Sequence, residues 1–491
     1  MKAQAFNMKS KEPLTRKLTF GIFYLLSSSF ATLGINVVTV GFIARALGVE
    51  NFGLYSAIFS FVGLFQFLSD FGLNKTLLKF GSTDTTQAQI SFGNALFVKS
   101  ILAIPTILLI TFLGFLSGYR SNEILILLLF AISLIFESYG AVFSSIRRIL
   151  GSFKLVSFFR ILKSAINLII IIIAFSVQNS VLSLALANAI LNFVIFIISL
   201  INTVLLLKPK LRIRLIRDFF GDSIIFSLND FFLNIYVRLS TVLISLFYDL
   251  HTVGIYSAAV RFTRIANLLP NQVRFALLPT MYKILDNNKE EKSKMVFITL
   301  LKYMIIFSTP LALSILFFSD SIIHLIFGRK YDLSIPLVNL FSLFIYLRFV
   351  ETPFNLFYIA MNKHKNMVYF QGITTLLNVI LNLMLIPKYS VYGACYATLI
   401  SETFFSLLLV IMGGKYLIWR TRDVFNMLLK PTISGLIGVG IITVFLSKVN
   451  IFIQVTLLLI CYFLLLLVLR VFNKSDLDLF KKIFLKQKVV C

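Results

Sequence analysis

Four arginines, Arg238, Arg261, Arg264 and Arg348, stand well inside apolar runs of the chain. A cation at the centre of such a run costs about 2.5–3.5 kcal/mol on the membrane-insertion scale, so each needs an offsetting partner. Spacing narrows the choice. Ser257, Arg261, Arg264, Asn267, Asn271 and Arg274 recur every three or four residues and share one helical face. Ser223, Ser227, Asp230, Asn234, Arg238, Thr241 and Ser245 do the same in the run before. Asp230 is the one acid in these two stripes, and one acid cannot neutralise Arg238, Arg261 and Arg264. An anionic group on a ligand would offset the rest, because guanidinium forks take up paired anionic oxygens. Arg238, Arg261 and Arg264 are therefore expected to contact such a group, with Asn234 and Asn267 beside them. Arg348 has Glu351 one turn away, so an internal pair explains it equally well. Asp70, Glu137, Asp230, Glu351 and Glu402 also fall within apolar runs, where a carboxylate is a candidate for ion or proton coupling.

The elements that must carry these residues are membrane-spanning helices. Apolar residues make up 58% of the 491 positions and charged residues 13%, a balance that a water-soluble core cannot absorb. Apolar runs long enough to cross a hydrocarbon layer of about 30 Å recur along the whole chain. Fourteen spans are expected, at about 19–44, 53–74, 91–116, 122–146, 155–177, 180–207, 219–246, 252–277, 295–318, 334–359, 367–386, 391–412, 430–447 and 450–470. The net charge of +26 does not point to nucleic acid, because the basic residues lie in short clusters between apolar runs. Those clusters fall 31 on one side and 6 on the other, which places both termini in the cytoplasm by the positive-inside rule. The first run is too long for the core of a signal peptide and is expected to stay as helix 1. The C-terminal tail puts Phe480, Ile483 and Phe484 on one face among lysines, which fits an interfacial helix or a disordered tail equally.

The chain also repeats itself. Phe52-Gly-Leu-Tyr-Ser-Ala-Ile-Phe-Ser-Phe61 matches Val253-Gly-Ile-Tyr-Ser-Ala-Ala-Val-Arg-Phe262 at an offset of 201 residues. Lys154, Phe159 and Asn167 match Lys365, Phe370 and Asn378 at 211. The expected organisation is an N-terminal lobe over 1–217, a C-terminal lobe over 218–425, and two further helices with a basic tail over 426–491. The stripes recur in the first copy as Ser28, Thr32, Asn36 and Thr39, and as Ser56, Ser60, Gly63, Gln66 and Asp70. Polar stripes running the depth of a membrane fit a water-filled cavity, which Asn36 would also line. Packing between helices is the simpler alternative.

Arg45-Ala-Leu-Gly-Val-Glu-Asn-Phe-Gly-Leu-Tyr-Ser, followed by Leu68-Ser-Asp-Phe-Gly-Leu, resembles the first helical hairpin of polysaccharide flippases. Asn378-Val-Ile-Leu-Asn-Leu-Met-Leu-Ile-Pro387 and Tyr392-Gly-Ala-Cys-Tyr-Ala-Thr resemble their eleventh and twelfth helices. These flippases belong to the multidrug/oligosaccharidyl-lipid/polysaccharide exporter superfamily. The resemblance implies an all-α integral membrane protein with about fourteen helices and two lobes, exporting an undecaprenyl-diphosphate-linked oligosaccharide by alternating access. A diphosphate would then be the anion that the arginines meet. The implied surroundings are membrane lipids, with other polysaccharide assembly proteins left open as partners and the oligomeric state undefined. Asp230, Asn378, Asn382 and Thr398 resemble the sodium site of the related lipid II flippases. An asparagine replaces that site's second carboxylate, and amide packing is the stronger reading there.

No G-x-x-x-x-G-K-[ST] loop is present, so the chain is not expected to hydrolyse ATP itself. Cys395, Cys461 and Cys491 have no metal-ligand spacing, and neither a metal nor a cofactor is expected. Two other functions compete. A cation-coupled multidrug or metabolite antiporter of the same superfamily would need a cavity rich in acids, against which the arginines argue. A membrane glycosyltransferase, polymerase or ligase would need catalytic residues on a large outer loop, and the outer loops are short, so an enzyme is not expected.

Overall fold

The apolar runs fold into long helices, seen in a computed structural model that describes residues 14–81, 84–286, 290–361, 363–414, 421–445, 450–469 and 471–472. The C-terminal tail around Phe480 lies outside the described residues. In chain order the helices are α1 (Leu14–Leu64), α2 (Gln66–Asp70), α3 (Leu73–Gly81), α4 (Thr85–Leu116), α5 (Ser121–Ile149), α6 (Phe153–Val177), α7 (Val181–Leu206) and α8 (Ile216–Phe247). They continue as α9 (Leu250–Val260), α10 (Phe262–Asp286), α11 (Glu290–Phe317), α12 (Ser319–Ile326), α13 (Ile335–Ala360), α14 (His364–Gly414), α15 (Thr421–Phe445) and α16 (Ile451–Val468). No strand occurs among the described residues.

Nine helices are long and apolar enough to cross a membrane among the described residues, and two shorter apolar stretches, Leu429–Val444 and Ile453–Val468, follow. The chain is an all-α, multi-span integral membrane protein. Its helices turn the soluble pattern inside out. On α4, Ile101, Ile104, Leu108, Phe112 and Phe115 recur every three or four residues and are all more than half exposed. The same helix buries Ser91, Asn94, Lys99 and Thr106. Small and polar residues thus pack between helices while apolar ones are left for lipid.

Two expected pairs of spans are each drawn as one 51-residue helix with a single non-helical residue inside. In α1 the break is Gly48, at φ 74°. In α14 it is Ser390, at φ 52°, a left-handed conformation that costs a serine energy. The chain doubles back there, because a Cβ on Gly393 would lie 2.2 Å from the Leu385 carbonyl oxygen. Two other expected spans are interrupted. The second, expected at 53–74, ends in the short α2, where Phe71 and Gly72 both take positive φ and re-aim the chain into α3. The eighth, expected at 252–277, is divided at Arg261 into α9 and α10.

The helices cluster into two compact units. The first comprises Met1–Ala258, Ile326–Leu333 and Val368–Ser401. In it α5 packs along α7 and α4, and α1 along α6 and α8. The second comprises Ala259–Leu325, Ser334–Met367 and Glu402–Cys491. There α13 packs on α10 and α11, and α15 and α16 pack on each other and on α11. Tyr462 anchors α16 by donating its hydroxyl to the Ile306 carbonyl at 2.9 Å. These units follow packing, whereas the lobes expected at 1–217 and 218–425 follow the repeat.

The repeat has a direct contact in the first unit. A Cβ on Gly53 would lie 1.8 Å from the Leu250 carbonyl oxygen, and one on Gly254 would lie 2.2 Å from that of Val49. Gly53 and Gly254 are repeat partners at the 201-residue offset, and so are Val49 and Leu250. The contact is reciprocal, and neither glycine leaves room for a side chain.

Candidate functional site

The first unit contains a cavity of about 470 Å³. Its wall is built from α2, α3, α5 and α8. Helix α5 presents Leu134, Glu137, Ser138 and Ala141, which fall on one face by spacing. Helix α8 presents Asp230, Leu233 and Asn234. Helix α2 presents Gln66, Phe67, Ser69 and Asp70, and Asn74 on α3 completes the ring. The interruption at Phe71–Gly72 is what ends α2 with Asp70 on the cavity wall.

Three of these residues are carboxylates, and each is held by a lysine. Lys99 donates to Asp70 at 2.7 Å, Lys163 to Glu137 at 3.0 Å and Lys75 to Asp230 at 2.6 Å. The pairs differ in exposure. The Lys99 side chain is 1% exposed, whereas those of Lys163 and Lys75 are 33% and 43% exposed. Lys99 also donates to the Ser138 carbonyl at 2.9 Å and its hydroxyl at 2.5 Å, and that hydroxyl donates to the Ser69 carbonyl at 2.8 Å. The cavity wall is therefore rich in hydrogen-bond acceptors yet close to neutral.

Phe67 brings an apolar face to this wall, packed edge-on against Phe231 with ring centroids 4.9 Å apart. One turn beyond Asn234, Arg238 Nη2 donates to Gln66 Oε1 and Nη1 to the Phe59 carbonyl, both at 3.3 Å. Its guanidinium lies against Gly63, where a Cβ would come 2.1 Å from Cζ. The stripe of Gly63, Gln66 and Asp70, at the end of α1 and along α2, is thus the surface that receives Arg238 and Lys99.

The residues singled out by sequence divide between the units. Asp230 and Asn234 line the cavity, and Arg238 reaches it through Gln66. Asn36 lies exposed on α1, and the cavity lining does not include it. Arg261, Arg264 and Asn267 belong to the second unit. Arg261 stands at the turn between α9 and α10, and Arg264 is exposed. Asn267 donates to the Thr263 carbonyl at 3.2 Å and faces a small pocket shared with Asn271, Arg274, Arg348 and Glu351.

Asn378 and Asn382 come together, fully buried. Asn382 Nδ2 donates to the Asn378 carbonyl at 2.8 Å and side-chain oxygen at 2.9 Å, and Asn378 Nδ2 to Ser401 at 3.3 Å. Thr398 donates to the Ala394 carbonyl of its own helix at 2.8 Å. None of these three lines the cavity that holds Asp230.

Sequence reasoning missed the lysines. Lys75, Lys99 and Lys163 were not among the residues that spacing singled out. The signal that bore on them was the intramembrane acids themselves, since Asp70, Glu137 and Asp230 each needed a cation.

The first unit thus holds a polar, ion-paired cavity among membrane-spanning helices, the setting in which intramembrane charges mark substrate or ion pathways. The chain belongs to the polysaccharide biosynthesis protein family, whose model matches residues 42–336. It is 21% identical over 379 residues to a probable low-salt glycan biosynthesis flippase, Agl15, of Haloferax volcanii, covering 75% of this chain and 77% of that one. A probable flippase of the same organism, AglR, is 30% identical over 182 residues, or 36% of this chain and 37% of the relative. The fold matches the lipid II flippase MurJ in an inward closed conformation, with a TM-score of 0.72 at 18% identity over 89% of this chain and 97% of that one. It also matches an inward-facing multidrug transporter of the MATE family, with a TM-score of 0.64 at 13% identity over 79% and 97%. The family match makes this a membrane protein of polysaccharide biosynthesis, with a fold shared with these transporters.

Proposed function

We propose that the protein moves a polyprenyl-diphosphate-linked oligosaccharide from the cytoplasmic to the outer leaflet of the cell membrane by alternating access. The cavity in the first unit carries this reading. Sugar hydroxyls need acceptors and donors in fixed positions, and Asp70, Glu137, Asp230, Gln66, Asn74 and Asn234 provide them. Phe67 offers the apolar face that a sugar ring packs on. Because each carboxylate is already lysine-paired, a neutral glycan can enter without exposing a bare charge. A cationic drug would first have to displace the lysines, which weighs against the antiporter reading.

The diphosphate needs cations. Arg238, and on the second unit Arg261 and Arg264, are proposed to supply them, with Asn234, Asn267 and Asn36 as further polar contacts. Asp230 remains the proposed coupling carboxylate. Its pair with Lys75 means that a coupling cation must first displace that ammonium. Asn378, Asn382 and Thr398 bond mostly within α14, which fits a supporting role in helix packing better than a direct one.

Proteoliposomes containing the protein and a fluorescent lipid-linked oligosaccharide test the reading. Flipped glycan should become accessible to an external lectin, and Glu137→Gln or Asn234→Ala should slow that appearance several-fold in inserted protein. Wild-type vesicles that export a cationic dye and leave the glycan protected would replace the proposal with the antiporter.

A further inference from the structure

A second cluster of intramembrane charges lies away from the cavity. Arg348 and Glu351 sit one turn apart on α13, and Glu402 approaches from α14. All three belong to the second unit. Arg348 Nε forms an ion pair with Glu402 Oε1, and Nη1 is 3.5 Å from Glu351 Oε2. Ser406, one turn beyond Glu402, donates to Glu351 Oε1 at 2.7 Å. Both carboxylate side chains are 1% exposed. Glu351 Oε2 is buried without a hydrogen-bond partner, although a carboxylate oxygen in that setting calls for a donor.

The charge count around Glu351 is uneven. The charged groups that act on it are Glu402 and Arg348, two acids and one base in all. From α10, the helix packed on the same face, Arg274 lines the adjoining pocket and donates to Asn271 at 2.9 Å, and its electrostatic neighbour is Arg348. From α11, neither Lys294 nor Lys302 lines that pocket. Two buried carboxylates within reach of one guanidinium cannot both remain ionised at low cost, since a single guanidinium has to offset both charges. A proton settles the imbalance and supplies the donor that Glu351 Oε2 lacks.

We propose that Glu351 and Glu402 share one proton, forming a proton-binding site in the second unit. With the proton bound, the cluster is one arginine, one carboxylate and one carboxylic acid, and is neutral. Release breaks one carboxyl O–H bond, passes the proton to water and leaves a net negative charge. That charge draws Arg348 more strongly and favours rearrangement of α13 against α14. The adjoining pocket, about 40 Å³ and lined by Asn267, Asn271, Arg274 and Asn355, has room for about one water and gives the proton a polar exit. The site does not depend on which lipid the protein carries.

Infrared difference spectroscopy of purified protein tests this directly. At neutral pH the wild type should show a protonated-carboxyl band that shifts in heavy water. Glu351→Gln and Glu402→Gln should each remove one carboxyl equivalent of that band, because the remaining acid then pairs with Arg348 as a carboxylate. Both single variants should keep close to wild-type melting temperatures, since glutamine mimics the protonated acid. The double variant should melt well below either, because Arg348 loses its counter-charge, and adding Arg348→Met should restore it. A band unchanged in both single variants would overturn the proposal. So would single variants that melt as low as the double one. Melting that rises with sodium at constant ionic strength, with no carboxyl band, would assign the site to a metal cation instead.

Discussion

The Asp70–Lys99 pair gives a sharp test of how the cavity wall is held. The two partners are buried unequally, at 20% exposed for the acid and 1% for the base. Asp70→Asn leaves an ammonium without a counter-charge where water does not reach, and breaking a buried pair in this way costs about 3–5 kcal/mol. Lys99→Met leaves a carboxylate that faces the cavity and can be hydrated there. Its cost is the three hydrogen bonds from Lys99, at about 0.5–1.5 kcal/mol each, less what hydration returns to Asp70. That comes to about 1–3 kcal/mol, so the acid variant should be worse by about 2 kcal/mol, or roughly 30-fold in the unfolding equilibrium. Thermal unfolding of both variants in detergent measures the order. The double variant should be less destabilised than the sum of the two, because the second change removes the group whose counter-charge the first took away. A Lys99→Met protein less stable than Asp70→Asn, or strict additivity, would refute the reasoning.

Gly53→Ala or Gly254→Ala should open the repeat contact, at a cost of about 1–3 kcal/mol for overpacking. Reaction of a Val49→Cys reporter with a bulky maleimide should rise accordingly, and unchanged labelling would count against the contact. Gly63→Ala should push the Arg238 guanidinium off its seat and slow glycan flipping at normal protein level, whereas Arg238→Lys should restore flipping only in part, read in the same vesicle assay. The Thr252 hydroxyl and N–H hold the exposed Asp249 carboxyl below the ordinary carboxylate range at the start of α9. Asp249→Ala should therefore lower the melting temperature at neutral pH, an effect of about 1 kcal/mol or less. Because the folded value is depressed, the gap between wild type and variant should shrink as pH falls below about 3.9, the unfolded value. For topology, cysteines placed at Ser121 and Lys330 should react with an impermeant reagent on intact cells, and one at Arg212 should not.

Helices were legible wherever lipid alone dictated them. The spans expected at 122–146 and 155–177 match α5 and α6 within a few residues, because an apolar run bounded by charged or turn-forming residues admits one reading. The interruptions at Phe71–Gly72 and Arg261 were not legible, since a mid-helix break is set by what packs against it, and only Gly72 hinted at one. The site shows the same division. The four-residue spacing of Asp230, Asn234 and Arg238 placed them on one face of α8, and Arg348 with Glu351 is a one-turn pair that spacing reveals. The cavity's lysines were hidden because their acids are 155, 29 and 26 residues away in sequence, distances that only packing closes. Glu402 joins Arg348 for the same reason.

The reciprocal seat of Gly53 on Leu250 and Gly254 on Val49 has the form of an isologous interface, in which each patch contacts its own equivalent across a two-fold axis. Such interfaces ordinarily join two identical subunits. Here both patches lie on one chain, so the contact behaves as a homodimer seam made permanent by a covalent link. A linked seam cannot be diluted apart, because its halves meet at an effective concentration set by the connecting chain. Freed from assembling through identical surfaces, the two copies can differ everywhere else. One carries Asp230 and Arg238 on its leading helix, where the other carries Asn36 and small hydroxyls. A half-length chain ending near residue 217 would have to rebuild the seam with a second copy of itself, presenting Gly53 to Val49 twice over.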